Sequence, residues 1–311
     1  MKLRTARSSA KALCCSLWAE QSTGPRCLRV SLASLRVKKS GQQWSRQMRA
    51  GSITQENFKV EGQLGSRAIR VLIRVQELVS ARGAYDYVEV GSYLGRSLQP
   101  HLQDEDCRRA VSIDLRPDLP PDERCALETY KCITAHDMSD GLAVYCTPDD
   151  LAKLETITDT SDALRAFESA QFDLAFIDGE HTHVAAFRDF MNVLRVMRPD
   201  GVICFDDTPL VLTGIRNAVT VLEDLGFPHA MAFGRGDITI IALGAQAQTF
   251  IESLDPDMTR EPARVERSAR RRASEVALRE ARPHMLTEDK VVREKIIQAL
   301  KEDGWDVQRA K

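Results

Sequence analysis

Two short apolar runs that end abruptly in acid constrain this chain most. They are Phe172-Asp173-Leu174-Ala175-Phe176-Ile177-Asp178, followed by Gly179-Glu180-His181, and Gly201-Val202-Ile203-Cys204-Phe205-Asp206-Asp207. Runs of this length between Gly or Pro signals predict buried parallel strands. In open α/β sheets, ligands bind outside the carboxyl ends of the strands. Two neighbouring strands of this kind aim Asp178, Asp206 and Asp207 at one crevice. Carboxylates gathered there repel one another unless a cation, a proton or water offsets their charge.

The surrounding pattern alternates strand and helix. Ser66–Ala81 predicts a helix with Ile69, Leu72, Ile73 and Val79 near one face, stopped at Gly83. Tyr87–Val90 predicts a first strand ending at Gly91, and Ala110–Asp114 a second ending in acid. Pro117, Pro120 and Pro121 then forbid an immediate helix. Residues 122–155 show no clean period and are treated as an insertion or irregular stretch, with a third strand at Leu154–Thr158. After the strand ending at Asp178 comes a helix marked by Val184, Phe187, Met191 and Leu194. After the strand ending at Asp206, Ile215, Ala218, Val219, Leu222 and Leu225 mark another, stopped at Gly226. His229–Phe233 and Ile238–Leu243, joined by Gly234-Arg235-Gly236-Asp237, form a hairpin. The expected fold is a Rossmann-like, doubly wound α/β sheet, mostly parallel, with an antiparallel strand at or near one edge.

This domain is expected over residues 56–250. Residues 1–55 form a basic extension expected to be disordered: within residues 1–50 only Glu20 is acidic, against eleven Lys and Arg. Their Ser-rich, acid-poor composition is that of an organellar transit peptide or of a plain basic tail. Residues 251–311 form a charged helical extension. A helix is expected to start at Thr287-Glu288-Asp289, with Val292, Ile296, Ala299 and Leu300 on one face, which must bury against the domain or a second copy in a homodimer. The formal net charge of −2 carries no whole-chain footprint for nucleic acid. No apolar run reaches the length of a membrane span. The eight cysteines show no paired framework, which suits a reducing compartment, cytoplasmic or organellar. Cys125, Cys132, His136 and Cys146 match no compact zinc spacing.

Two motifs carry chemistry. In Glu89-Val90-Gly91-Ser92-Tyr93-Leu94-Gly95-Arg96-Ser97 the glycines let the backbone turn tightly after the first strand and approach a ligand. The spacing is G-x-x-x-G, and the dinucleotide spacing G-x-G-x-x-G is missing, which argues against a nicotinamide oxidoreductase. Asp114 ends the second strand 23 residues after Gly91, where an acid accepts hydrogen bonds from the ribose of an adenosine ligand. A structural turn or a helix cap would use the same residues.

Together these features resemble the class I S-adenosylmethionine-dependent methyltransferases over about residues 60–245, and within them the metal-dependent O-methyltransferases of catechol and macrocin type. The glycine loop, the Phe172–His181 segment, the Pro199–Asp207 segment and Gly214-Ile215-Arg216-Asn217-Ala218-Val219 fall in the family's order. The resemblance implies that Glu89, Gly91, Ser92, Tyr93, Gly95 and Ser97 surround the methionine end of S-adenosylmethionine. It implies that Asp114 holds the ribose and that Thr160 and Ser161 lie near adenine. Asp178, also beside the cofactor, would bind a divalent cation such as Mg²⁺ with Asp206 and Asp207. His181 stands where catechol-type members carry a catalytic Lys and would serve as the base that deprotonates the acceptor hydroxyl, with His183 as a substitute.

The chain departs from the family in three places. It has Asp206-Asp207 where catechol enzymes have Asp-Asn, so a sugar or polyketide hydroxyl fits as well as a catechol. Asp200 replaces a common Gly, and the stretch at 120–155 has no clear counterpart. The expected activity is O-methylation of a small molecule with metal assistance. The rival readings are a metal-independent methyltransferase of the same fold and a non-catalytic scaffold that keeps the fold as a relict.

Overall fold

The computed structural model describes residues 53–115 and 133–285, with side chains as far as Ser274. Seven strands form one sheet: β1 (Tyr85–Val90), β2 (Cys107–Ile113), β3 (Leu154–Ile157), β4 (Phe172–Ile177), β5 (Met197–Phe205), β6 (His229–Phe233) and β7 (Thr239–Leu243). Their spatial order is β3-β2-β1-β4-β5-β7-β6. The pairs from β3 to β5 are parallel, and β7 runs antiparallel between β5 and β6. The expected architecture is present, and the one reversed strand lies next to the β6 edge.

The helices are α1 (Ser66–Ser80), α2 (Leu98–Leu102), α3 (Ala135–Ala143), α4 (Pro148–Leu151), α5 (His183–Val196), α6 (Thr208–Asp224), α7 (Ala247–Glu252) and α8 (Pro262–Met285). The two-residue period of the strands divides the core into two faces. Tyr87, Leu174, Cys204 and Ile240 pack with α1, α2 and α3. Val88, Ala175, Ile203 and Ile241 pack with α5 and α6. Each central strand is apolar on both sides because each side is covered by helix. Cys107, Cys146 and Cys204 are buried thiols.

From residue 133 onward the irregular stretch is more ordered than its composition suggested. Thr134 and Thr147 each close a capping box with an acid three residues on, starting α3 and α4. Cys125, Cys132 and the residues from Thr287 onward lie outside the described residues. A 24-residue helix, α8, occupies Pro262–Met285, within the helical extension expected over residues 251–311, although the sequence marked a helix start only at Thr287. Its apolar content is too low to show a period, yet Ala, Arg and Glu are strong helix formers. Among the described residues no helix is long and apolar enough to cross a membrane.

Candidate active site

Chain order reverses between β1 and β4, and the crevice at such a switch point is where an open sheet binds ligands. Gly91 and Asp178 meet there. Gly91 has φ +86°, and a Cβ on it would stand 2.1 Å from the Asp178 carbonyl oxygen. The loop then passes through Tyr93 at φ +47°. It is braced from the next strand: the backbone N–H groups of Ser92 and Tyr93 both donate to Asp114 Oδ2, at 3.0 and 2.7 Å. Gly91→Ala is expected to cost at least about 3 kcal/mol, a fall of roughly 6–12 °C in Tm, because both the conformation and the contact are forbidden. A thermal melt at unchanged Tm would show that the strand ends can part freely.

Glu89 lies below the loop and outside the cavity wall. It shares a face of β1 with Tyr87, whose hydroxyl donates to Glu89 Oε2, and Ser97 Oγ donates to Oε1 at 2.7 Å. Its role in the geometry is to tie the far end of the loop to the strand. Gly95 is likewise behind the loop, packed at φ +86° against Met138 and Leu142 of α3. Burial raises the Glu89 carboxyl from 4.5 to about 7, against the lowering effect of those hydrogen bonds. Its folded value exceeds its unfolded one, so the stabilising contribution is complete below about 4.5 and is lost as the pH rises through 7. The stability lost in Glu89→Gln is therefore expected to shrink between pH 5 and 8, by up to about 3 kcal/mol. Urea titrations at the two pH values check this, and a pH-independent difference would contradict it.

Past β3, Thr160 caps the 3₁₀ turn Ser161–Ala166, and Thr160 and Ser161 both line the cavity. Ser161 Oγ donates to Asp189 Oδ1 at 2.6 Å and accepts from Asn192 Nδ2 at 2.9 Å. Arg188 Nε donates to the same Asp189 oxygen at 3.2 Å. Burial pushes the Asp189 carboxyl up, opposed by Ser161 and Arg188. The sequence reading missed Asp189 and Asn192. The available signal was a pair of polar residues on the apolar face of α5, beside Phe190 and Val193.

At the ends of β4 and β5 the acids converge with a histidine. His181 Nε2 lies 3.3 Å from Asp178 Oδ1 and 3.1 Å from Asp207 Oδ2. Donor atoms of Asp178, His181 and Asp207 all fall within 4.8 Å of one another. Asp207 holds φ +47° as the N-cap of α6, a left-handed conformation that aims its side chain back toward β4. Asp206, named in the sequence as a third metal ligand, is not part of this trio. Its Oδ1 accepts the Asp207 N–H at 2.7 Å. Desolvation, then Asp178 and Asp207, push its carboxyl well above the usual range. Two carboxylates and an imidazole fit a six-coordinate divalent cation that keeps open positions for water or substrate.

Gly91, Ser92, Tyr93, Ser97, Asp114, Thr160, Ser161, Asp178, His181, Asp206 and Asp207 line one cavity of about 600 Å³, which also takes Ile113, Glu180 and, from outside the expected site, Gly62, Arg96 and Arg272. That size accommodates a nucleoside cofactor together with part of a second molecule.

Residues 88–208, from β1 to the start of α6, match a family described as a methyltransferase domain. Among solved structures the chain is similar to the O-methyltransferase TomG from Streptomyces achromogenes in complex with SAM, at 17% identity over 58% of this chain and 82% of that one, with a TM-score of 0.40. It is similar to the O-methyltransferase from Bacillus cereus in complex with SAH, at 18% identity over 61% and 85%, TM-score 0.39. It is also similar to the O-methyltransferase NovP, at 12% identity over 56% and 78%, TM-score 0.44. No curated protein matches the chain.

Proposed function

We propose that the chain, whose residues 88–208 match a methyltransferase domain, is a class I S-adenosylmethionine-dependent enzyme that methylates a hydroxyl of a small molecule with help from a divalent cation. One observation carries the reading: the loop braced by Asp114 and the Asp178–His181–Asp207 cluster face the same cavity. When bound, S-adenosylmethionine supplies a methyl on a positive sulfur, and the cation supplies Lewis acidity toward the acceptor oxygen.

The chain's own residues then have separable tasks. Asp114 sets the backbone of Ser92 and Tyr93 and offers its carboxylate to the ribose. Thr160, and Ser161 held by Asp189 and Asn192, bound the adenine end. Asp178 stands at the switch point between cofactor and acceptor. Asp178, Asp207 and His181 would hold the cation. His181 would hold the cation through Nε2, the ring nitrogen that faces both carboxylates, and an imidazole nitrogen ligates a metal only in its unprotonated form. The domain proper spans about 56–250, and α8 adds a wall from beyond it.

A second reading is a metal-independent methyltransferase in which the contacts of His181 Nε2 to Asp178 and Asp207, rather than a cation, hold the three side chains together. It is favoured by the short contacts of Nε2 to both carboxylates, which already form a complete cluster. Transfer of labelled methyl from S-adenosylmethionine to a panel of phenols and vicinal diols separates the two. The metal-assisted reading expects transfer with Mg²⁺ or Mn²⁺, abolished by chelator and restored by added metal. Transfer indifferent to chelator would leave the second reading.

A further inference from the structure

We propose that Asp189 reads the 6-amino group of the cofactor's adenine and so makes the cavity selective for adenine over a 6-oxo purine. The inference rests on the methyltransferase reading of the cavity and adds a base-reading residue to it.

The side chain is buried and only half committed to the protein. Asp189 stands in the second turn of α5, 1% exposed, and borders the cavity. Its Oδ1 accepts from Ser161 Oγ at 2.6 Å and from Arg188 Nε at 3.2 Å. Both donors fall on one oxygen, and among the described residues no donor reaches Oδ2. A buried carboxylate oxygen without a donor is costly, so this one calls for a partner that the folded chain does not supply. Gly179 keeps room for that partner. A Cβ there would stand 3.2 Å from Asp189 Oδ2 and 3.4 Å from Val90 Cγ1. Glycine in the loop after β4 leaves Oδ2 open where a larger residue would crowd it.

The contacts of Asp189 also place it along the sheet. Ser161 follows β3, and Gly179 follows β4. In the order β3-β2-β1-β4, Asp114 at the end of β2 lies between them. Asp206 and Asp207, at the end of β5, lie beyond β4. With a ribose at Asp114 and the methionine end along the glycine loop after β1, the base is left the β3 side of the cavity. That is the side on which Ser161 holds Asp189.

The chemistry follows from what a carboxylate oxygen can accept. Adenine carries an amino group at C6, whereas hypoxanthine carries a carbonyl oxygen there. An amino N–H donates to a carboxylate, and such a bond is stronger than one between neutral groups. A carbonyl oxygen set against Oδ2 would bring two acceptors together and leave both unpaired. A site built to hydrogen-bond one group rejects an analogue that lacks it far more strongly than an apolar pocket rejects a misfit. The two donors on Oδ1 serve the same end. They orient the carboxyl group and favour its ionised form against the effect of burial.

The test uses the full chain and two ligands that differ in the purine 6-substituent, S-adenosylhomocysteine and S-inosylhomocysteine, titrated calorimetrically. Wild type is expected to bind the adenine compound roughly tenfold or more tightly. Asp189→Asn keeps the shape of the side chain, but its amide can turn either an oxygen or an N–H toward the base. The preference should then shrink to about threefold or less. Should Asp189→Asn fail to fold, Asp189→Ser, whose hydroxyl both donates and accepts, carries the same expectation. A purely structural Asp189 would weaken both ligands together and leave their ratio as in wild type. Equal binding of the two ligands by wild type, or a preference that survives in the folded variant, would overturn the proposal. Failure of wild type to bind either ligand would overturn the methyltransferase reading itself, and this inference with it.

Discussion

Asp114→Ala is expected to weaken S-adenosylmethionine binding by about 100-fold or more while the protein stays folded. The carboxylate has two tasks. Its Oδ2 accepts the N–H groups of Ser92 and Tyr93, which holds the glycine loop in shape. It also lines the cavity, where a ribose would meet it. Hydrogen bonds to a charged group contribute roughly 1.5–3 kcal/mol each, so losing even two accounts for the expected fall. Asp114→Asn keeps one acceptor oxygen without the charge and should fall between the two. Equilibrium dialysis with labelled cofactor measures both variants. Unchanged affinity in Asp114→Ala would mean that the loop needs no brace and that the ribose lies elsewhere.

The second large effect is at Asp207. Asp207→Gly removes the carboxylate yet suits φ +47°, since glycine adopts the left-handed region freely. Relief of that strain, worth about 1 kcal/mol, should offset any lost contacts, so Tm should not fall. Catalytic efficiency should drop roughly 100- to 1,000-fold, as when one electrostatic partner of a transition state is removed. Cofactor affinity should change little, because the proposed arrangement puts Asp207 on the acceptor side. A comparison of kcat/KM, Tm and cofactor binding in one preparation separates these outcomes. Full activity in Asp207→Gly would exclude the Asp178–His181–Asp207 cluster from the chemistry.

Most of the fold was legible because strand ends announce themselves chemically. The runs ending at Asp178 and Asp206 became β4 and β5, and the Gly234–Asp237 hairpin placed the one antiparallel strand next to an edge. Even the short β3 was found within the irregular stretch. What escaped is what depends on side-chain direction or on long-range packing. Glu89 follows a strand period that turns it under the loop toward Tyr87 and Ser97, which spacing alone does not reveal. Asp206 and Asp207 are adjacent, so both seemed equally placed to bind metal. The left-handed turn at Asp207 separates them, and His181 joins the cluster from the loop just before α5. Asp189 and Asn192 lay within an apolar stripe, and the apolar periodicity masked them. Helix α8 has almost no apolar pattern, and its bearing on the cavity through Arg272 appears only once the chain is folded.

The most direct test of the central claim is calorimetric titration of S-adenosylmethionine into the full-length wild-type protein. One site per chain with micromolar affinity is expected. A well-folded protein that shows no binding would contradict it, and the fold would then be a scaffold that no longer performs methyl transfer.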